Sequence, residues 1–133
     1  MLNLKFDATG LFVTEMEKMV LFYRDVMGMK SEWKKGEPYA ELLSGEMRLL
    51  MYSRADFEKM VSKTFVYPDQ LNGTLELSFS LPCFEDVDKE FERVVKAGAR
   101  SVFPPTNTEW GQRTCYVSDP DGNLIEIGSF NKG

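Results

Sequence analysis

The chain has 133 residues, 43% of them hydrophobic and 13% aromatic, with a formal charge of -5 and no histidine. Length and apolar content suit one folded domain with a real core and exclude a disordered chain, while the negative balance excludes a surface built to hold nucleic-acid phosphates. Without imidazole, the commonest transition-metal ligand and the usual general base near neutral pH, both tasks would fall on other groups.

No uninterrupted apolar run approaches the roughly 18 residues that a membrane-crossing helix needs. The opening MLNLKFD lacks the basic-then-apolar layout of a signal peptide, so a cytoplasmic chain is expected. Cys83 and Cys115 stand alone, with no CxxC spacing, and suggest neither a zinc site nor a disulfide framework.

In chain order, NLKFDATGLFVT over 3–14 is rich in β-formers and leads into EMEKMVLFYRDVMG over 15–28. There Met19, Phe22, Tyr23, Val26 and Met27 recur at helical spacing, and Gly28 offers a C-terminal stop. Three short strands are expected next: MKSEWKK over 29–35, PYAELLS over 38–44 and EMRLLMYS over 46–53, with Ser44-Gly45 as a tight turn between the last two. ADFEKMVSK over 55–63 suggests one or two helical turns, and 64–73 reads as loop.

The pattern then returns. GTLELSFSLP over 73–82 is strand-like, and FEDVDKEFERVVKAGA over 84–99 is helical, with Val87, Phe91, Val94 and Val95 on one side and Gly98 as its stop. SVFPP, TEWGQRTCYVSD and GNLIEIGSF supply strands, the last two joined by the turn Asp119-Pro120-Asp121-Gly122. The order βαβββ thus occurs twice, with GLFV at 10–13 matching SFSL at 78–81. Two copies suggest a duplicated module rather than a solenoid. The expected class is α+β, a single domain over 1–133 with module 1 at about 1–53, a connector at about 54–72 and module 2 at about 73–133. Each module would be a curved, mostly antiparallel sheet backed by a helix, and the paired sheets would enclose a cleft.

Strand alternation puts Asn123, Ile125 and Ile127 on one face and Leu124, Glu126 and Gly128 on the other. The Glu126 carboxylate must therefore meet water, a ligand, a metal or a partner such as Arg113 or Arg48. In TLELSFSL, Leu75, Leu77, Phe79 and Leu81 alternate with Glu76, Ser78 and Ser80, so Glu76 and Glu126 could share a cavity, where their repulsion would raise an apparent pKa of the pair. Trp33, Tyr39, Tyr52, Trp110 and Tyr116 offer flat walls for a ligand or for packing. Arg113 alternates with Cys115 and Val117 opposite Thr114 and Tyr116, and either set can face inward. PCFEDVD over 82–88 is acidic at a helix start, where the dipole favours it. No GxGxxG, P-loop, GxSxG or HExxH pattern occurs, which leaves dinucleotide, nucleotide, serine-hydrolase and zincin chemistry without support.

GLFVTEMEKMVLFYRDVMGM, DVDKEFERVVKAGA and above all WGQRTCYVSDPDGNLIEI resemble the vicinal oxygen chelate superfamily. That superfamily groups glyoxalase I, bleomycin-resistance proteins, fosfomycin-resistance enzymes and extradiol dioxygenases. The resemblance covers nearly the whole chain in order. It implies paired βαβββ modules around a barrel-like cleft, commonly within a homodimer, with the site on the concave faces. In metal-using members the ligands are typically His or Glu, one from the first and one from the last strand of each half. Those positions fall here on Ala8, on Leu49 or Leu50, on Glu76 and on Glu126, so two of the four keep a ligating group.

The function expected from these features is a small-molecule-binding protein of the glyoxalase/bleomycin-resistance type, similar to its metal-free bleomycin-resistance-like members, which sequesters a ligand without an obligatory metal. The alternative is a metal-dependent lyase or dioxygenase of the glyoxalase I kind using Glu76 and Glu126. A metal-free isomerase or lyase with one glutamate as base is a third reading. The expected ligand contacts are Glu76, Ser78, Trp110, Arg113, Glu126, Trp33 and Tyr52. Glu76 and Glu126 are also the candidate catalytic groups and, if a metal is used, its ligands. No cofactor is required, although a hard divalent cation could accept two carboxylates plus waters. The expected partners are a small organic molecule, cationic or aromatic, and a second copy of the chain, with neither nucleic acid nor membrane.

Overall fold

The computed structural model describes residues 2–133; Met1, where the first expected module begins, lies outside the described residues. The class is α+β, with two small sheets and three helices among the described residues. The chain divides into two compact units, Met1–Val66 and Tyr67–Gly133.

In the first unit, β1 (Thr9–Val13) pairs in parallel with β3 (Met47–Ser53), and β2 (Tyr39–Ser44) pairs antiparallel with the other edge of β3. Alternation sends Leu11, Val13, Ala40, Leu42, Leu49 and Met51 to one buried face. Helix α1 (Met16–Leu21), continued by a π-helical turn over Phe22–Val26, supplies Met19, Val20, Phe22, Tyr23 and Val26 to the same core. Met29 N–H reaches back to Tyr23 O at 2.9 Å, closing the helix where Gly28 stands at φ 76.

Two details of this unit differ from the sequence expectation. The strand over 29–35 reduces to a single bridge between Lys30 and Leu43, because the chain turns back at once. Lys34 N–H donates to Glu37 Oε1 at 2.7 Å, and Glu37 N–H donates to Lys34 O at 3.1 Å. The β2–β3 turn is centred on Gly45-Glu46 rather than Ser44-Gly45, since Ser44 is paired with Met47. Helix α2 (Arg54–Val61) fills part of the expected connector, with Ser53 as its N-cap accepting from Asp56 N–H. It buries no residue of its own.

In the second unit the sheet order is β4–β7–β6–β5, built from β4 (Asn72–Ser80), β5 (Arg100–Asn107), β6 (Arg113–Ser118) and β7 (Asn123–Ser129). Helix α3 (Phe84–Lys96) packs Val87 and Val94 on Cys115, Val117, Ile125 and Ile127, all buried. Each such side chain contributes about 2 kcal/mol. The expected strand TEWGQRTCYVSD begins only at Arg113, because Thr108–Gln112 closes a turn in which Thr108 N–H donates to Gln112 O at 2.7 Å. No helix among the described residues is long and apolar enough to cross a membrane.

The β6–β7 connection is a built turn. Buried Asp119 accepts from Asp121 N–H at 2.9 Å and Asn123 N–H at 3.0 Å through Oδ1, and from Asn123 Nδ2 at 2.9 Å through Oδ2. Gly122 stands at φ 88, where a β-carbon would lie 2.5 Å from Gln70 O. Both the left-handed backbone and the close approach demand glycine. This turn sets the register that pairs Tyr116 with Glu126 and Thr114 with Gly128.

Candidate functional site

Helix α3 covers one face of the second sheet and leaves the other open. The period of two puts Glu76 and Ser78 of β4, Thr114 and Tyr116 of β6, and Leu124, Glu126 and Gly128 of β7 on that open face. Ser78 is the register partner of Glu126 on one side, and Tyr116 is its partner on the other. Glu126 therefore sits in the middle of a three-strand platform.

Four side chains donate to its carboxylate. Ser78 Oγ reaches Oε1 at 2.9 Å, while Thr114 Oγ1, Gln112 Nε2 and Tyr116 Oη reach Oε2 at 2.8, 3.3 and 3.3 Å. Gln112, itself buried, is oriented from behind because Trp110 Nε1 donates to its Oε1 at 3.0 Å. That contact presents the amide nitrogen to Glu126. Trp110 is exposed above this chain of bonds.

Glu76 completes the group. Tyr116 Oη stands 3.2 Å from Glu76 Oε1 as well as 3.3 Å from Glu126 Oε2. A phenol carries one proton and serves one acceptor at a time, so Tyr116 donates to Glu76 or to Glu126 but not to both at once. Burial, followed by the Glu126 charge, raises the Glu76 carboxyl above its ordinary value of 4.5. The phenol is pushed up to about 12, by burial first and then by Glu126 and Glu76, so it stays neutral at physiological pH.

Among the sequence candidates, Glu76, Ser78 and Glu126 thus come together, and Trp110 joins them through Gln112. Arg113 does not. It lies on the helix-covered face, with Nε and Nη2 gripping Asp88 of α3 at 2.6 and 2.8 Å and Nη1 on Asn107 at 2.9 Å. Arg48 is likewise engaged, by Asp7 and Glu41. Arg113 does not pair with Glu126, because Asp88 is the carboxylate on its own side of the sheet. Trp33 and Tyr52 belong to the first unit. Trp33 donates its indole N–H to Glu37 O at 2.7 Å beside a hollow of about 520 Å³ that also includes Lys30, Glu32 and Glu41. Tyr52 stands edge-on to Phe57 and Tyr39. Cys115 is buried and its thiol is pushed up to about 12 by that burial, which leaves it inert at neutral pH.

Sequence reasoning missed Gln112 and Thr114 as partners of Glu126. Their signal was the alternation Gln112, Thr114, Tyr116 combined with the turn at Asp119–Gly122, which together aim all three at the Glu126 face. In the first unit, Leu49 is buried while Leu50 faces the open side, so Leu50 occupies the position that Glu126 holds in the second, and Gly10 is its register partner as Ser78 is for Glu126.

The donor set does not fit a transition metal. It offers two carboxylates without imidazole or thiolate, and both Glu126 oxygens are already taken up by four hydrogen-bond donors. Among the described residues no three His, Cys, Asp or Glu side chains gather to hold a metal ion.

A family model for the Glyoxalase/Bleomycin resistance protein/Dioxygenase superfamily matches residues 5–127. The chain is 32% identical over 120 residues to uncharacterized protein YraH of Bacillus subtilis, covering 88% of this chain and 91% of that protein. It is 28% identical over 131 residues to virulence protein STM3117 of Salmonella typhimurium, covering 95% of this chain and 84% of that protein. A solved structure of a glyoxalase-related enzyme from Fulvimarina pelagi superposes with a TM-score of 0.80 at 21% identity, over 94% of this chain and 87% of that one.

Proposed function

Because the chain belongs to the Glyoxalase/Bleomycin resistance protein/Dioxygenase superfamily, we propose that it binds a small cationic organic molecule on the open face of the second sheet, without an obligatory metal. One observation carries this: Glu126 is fixed in place by four neutral donors beside a second carboxylate, Glu76, and among the described residues neither forms an ion pair with a basic side chain. Two acidic groups with no counter-ion form a field that a cation relieves. Trp110 offers the flat apolar surface next to them, suited to receive an alkylammonium or aromatic cation. The working unit in this proposal is a homodimer, which light scattering of the purified chain checks.

Binding alone requires no bond to be made or broken. A second reading draws on the same oxygens: Glu76, Tyr116 and Glu126 form a hydrogen-bonded line along which a proton can be held or passed, as a general acid or base requires. In that reading Glu76 exchanges the proton, and Tyr116 and Glu126 position it.

Benzyltrimethylammonium, followed by calorimetry and by quenching of tryptophan fluorescence, tests the binding proposal. Affinity is expected to fall about tenfold or more in Glu126→Gln, as the loss of a charge-assisted contact implies. Unchanged affinity in both Glu76→Gln and Glu126→Gln overturns it. Titration with Mg²⁺, Mn²⁺, Ni²⁺ and Zn²⁺ in the same instrument is expected to show no stoichiometric uptake, and tight one-to-one uptake of any of them overturns the metal-free part.

A further inference from the structure

The start of β4 carries a dipeptide that the Glu126 platform does not use. Of the asparagines Asn3, Asn72, Asn107, Asn123 and Asn131, only Asn72 is followed by glycine. A glycine leaves its own nitrogen unshielded, because no β-carbon stands beside it. Asn72 and Gly73 open β4, and Asn72 N–H donates to Gly122 O at 2.8 Å. Pairing with β7 then lapses: Asn72 is the register partner of Asn123, but the next paired residue is Glu76, opposite Leu124. Gly73, Thr74 and Leu75 therefore form a bulge on the edge strand of the sheet, and all three are exposed.

Inside this bulge the Asn72 side chain is folded back on its own backbone. Thr74 N–H donates to Asn72 Oδ1 at 3.1 Å, which closes an Asx turn. That bond draws the side-chain carbonyl across the peptide joining Asn72 to Gly73 and holds Cγ beside the Gly73 nitrogen. The same N–H is aimed at the oxygen that gains negative charge when Cγ is attacked.

We propose that Asn72-Gly73 is a self-modifying site, where the chain deamidates through a cyclic imide with water as the co-reactant. The Gly73 nitrogen bonds Asn72 Cγ and gives its proton to water. The Cγ–Nδ2 bond breaks, and Nδ2 takes a proton back from water and leaves as ammonia. A water molecule then opens the imide at either carbonyl, which leaves aspartate or isoaspartate at position 72.

Asp121-Gly122 has the same spacing for imide closure, but its glycine is held. Gly122 N–H donates to Asp119 O at 3.0 Å, and a β-carbon on Gly122 would lie 2.5 Å from Gln70 O. Around Gly73 there is open space, since a β-carbon there meets nothing within 4 Å. The structure thus singles out the exposed bulge over the packed turn.

The reaction turns a donor into an acceptor. Asn72 Nδ2 now donates to Asn123 Oδ1 at 3.3 Å, and the Asn123 amide nitrogen is committed to Asp119 Oδ2 at 2.9 Å. A carboxylate at position 72 sets two acceptors against each other where β4 joins β7, and pairing there weakens.

The test is timed incubation of the full chain at mildly alkaline pH, with peptide mapping by mass spectrometry and melting curves on the same samples. The peptide holding Asn72 is expected to gain the mass difference between a hydroxyl and an amino group sooner than any other asparagine peptide. It should divide into an aspartate and an isoaspartate form. The folded chain should react at least as fast as the urea-unfolded chain, because the Asx turn persists only in the fold. Gly73→Ala fits the open space and should keep the wild-type melting temperature, while shielding the nitrogen and slowing the reaction about tenfold or more. Asn72→Asp should melt below the wild type, as the aged protein does. A folded chain that reacts more slowly than the unfolded one overturns the assignment, as does a wild-type rate in stably folded Gly73→Ala or earlier reaction at another asparagine. An Asn72→Asp variant as stable as the wild type overturns the structural consequence.

Discussion

A β-carbon on Gly128 would stand 2.8 Å from Gln112 Nε2, so the bare backbone of Gly128 is what gives the Gln112 amide its place over the sheet. The same imagined carbon would lie 3.0 Å from Thr114 Oγ1 and 3.2 Å from Arg113 O. Two of the four donors to Glu126 thus depend on one missing side chain.

Gly128→Ala is expected to push Gln112 and Thr114 away from Glu126. Crowding a packed position destabilises by about 1–3 kcal/mol, and the lower end applies because two of the three neighbours are side-chain tips that can yield. Chemical denaturation should show that loss, and benzyltrimethylammonium affinity should fall with it. An alanine variant of wild-type stability and affinity would show that the two donors do not hold Glu126.

Glu76 makes a pH-dependent contribution whose sign follows from its raised carboxyl. Facing it are Glu126 of β7 and Tyr116 of β6. Because the folded state holds this proton more tightly than the unfolded chain, the contribution is full below the ordinary value of 4.5 and is lost as pH rises through the raised one. Glu76→Gln, which cannot ionise, should melt above the wild type near neutral pH, and the gap should close in acid. Melting curves between about pH 4 and about pH 8 cover the window. A gap that stays constant across that range would contradict the coupling between the carboxylates.

The Arg113–Asp88 pair behaves oppositely. Its two-point grip lowers the Asp88 carboxyl, through the Arg113 hydrogen bonds first, below the ordinary value of 3.8. The stabilisation is present above that value and lost as pH falls below it. Asp88 is half exposed, so solvent screening keeps the loss in Asp88→Asn to about 1 kcal/mol at most. Urea titration near neutrality and again in acid measures it, with the difference expected only near neutrality.

Much of this was legible in the chain because local chemistry agrees with the fold. The turn at Asp119–Gly122, the stripe Val87–Val94 and the alternation around Glu126 and Glu76 are all short-range patterns, and the structure follows each. The failures came from partners far away in sequence. Arg113 looked like a ligand group because Asp88, 25 residues earlier, cannot be seen to reach it until α3 packs on β6. Residues 29–35 alternate like a strand, but the turn at Lys34–Glu37 removes them from the sheet after one bridge. The stack of Phe12 on Phe57 in the first unit stayed hidden for the same reason, since the two rings are brought together only when α2 folds over β1 and β3.

In both units the opening strand lies alongside the closing one, β1 with β3 and β4 with β7, in parallel. On the ribosome, β4 therefore emerges with Leu77 and Phe79 still waiting for a neighbour that is synthesised more than forty residues later. Non-local pairing of this kind slows folding and leaves strand edges exposed to aggregation in the interval. A chain released before Asn123 would hold a β4 with no mate, so the second sheet closes only when β7 arrives.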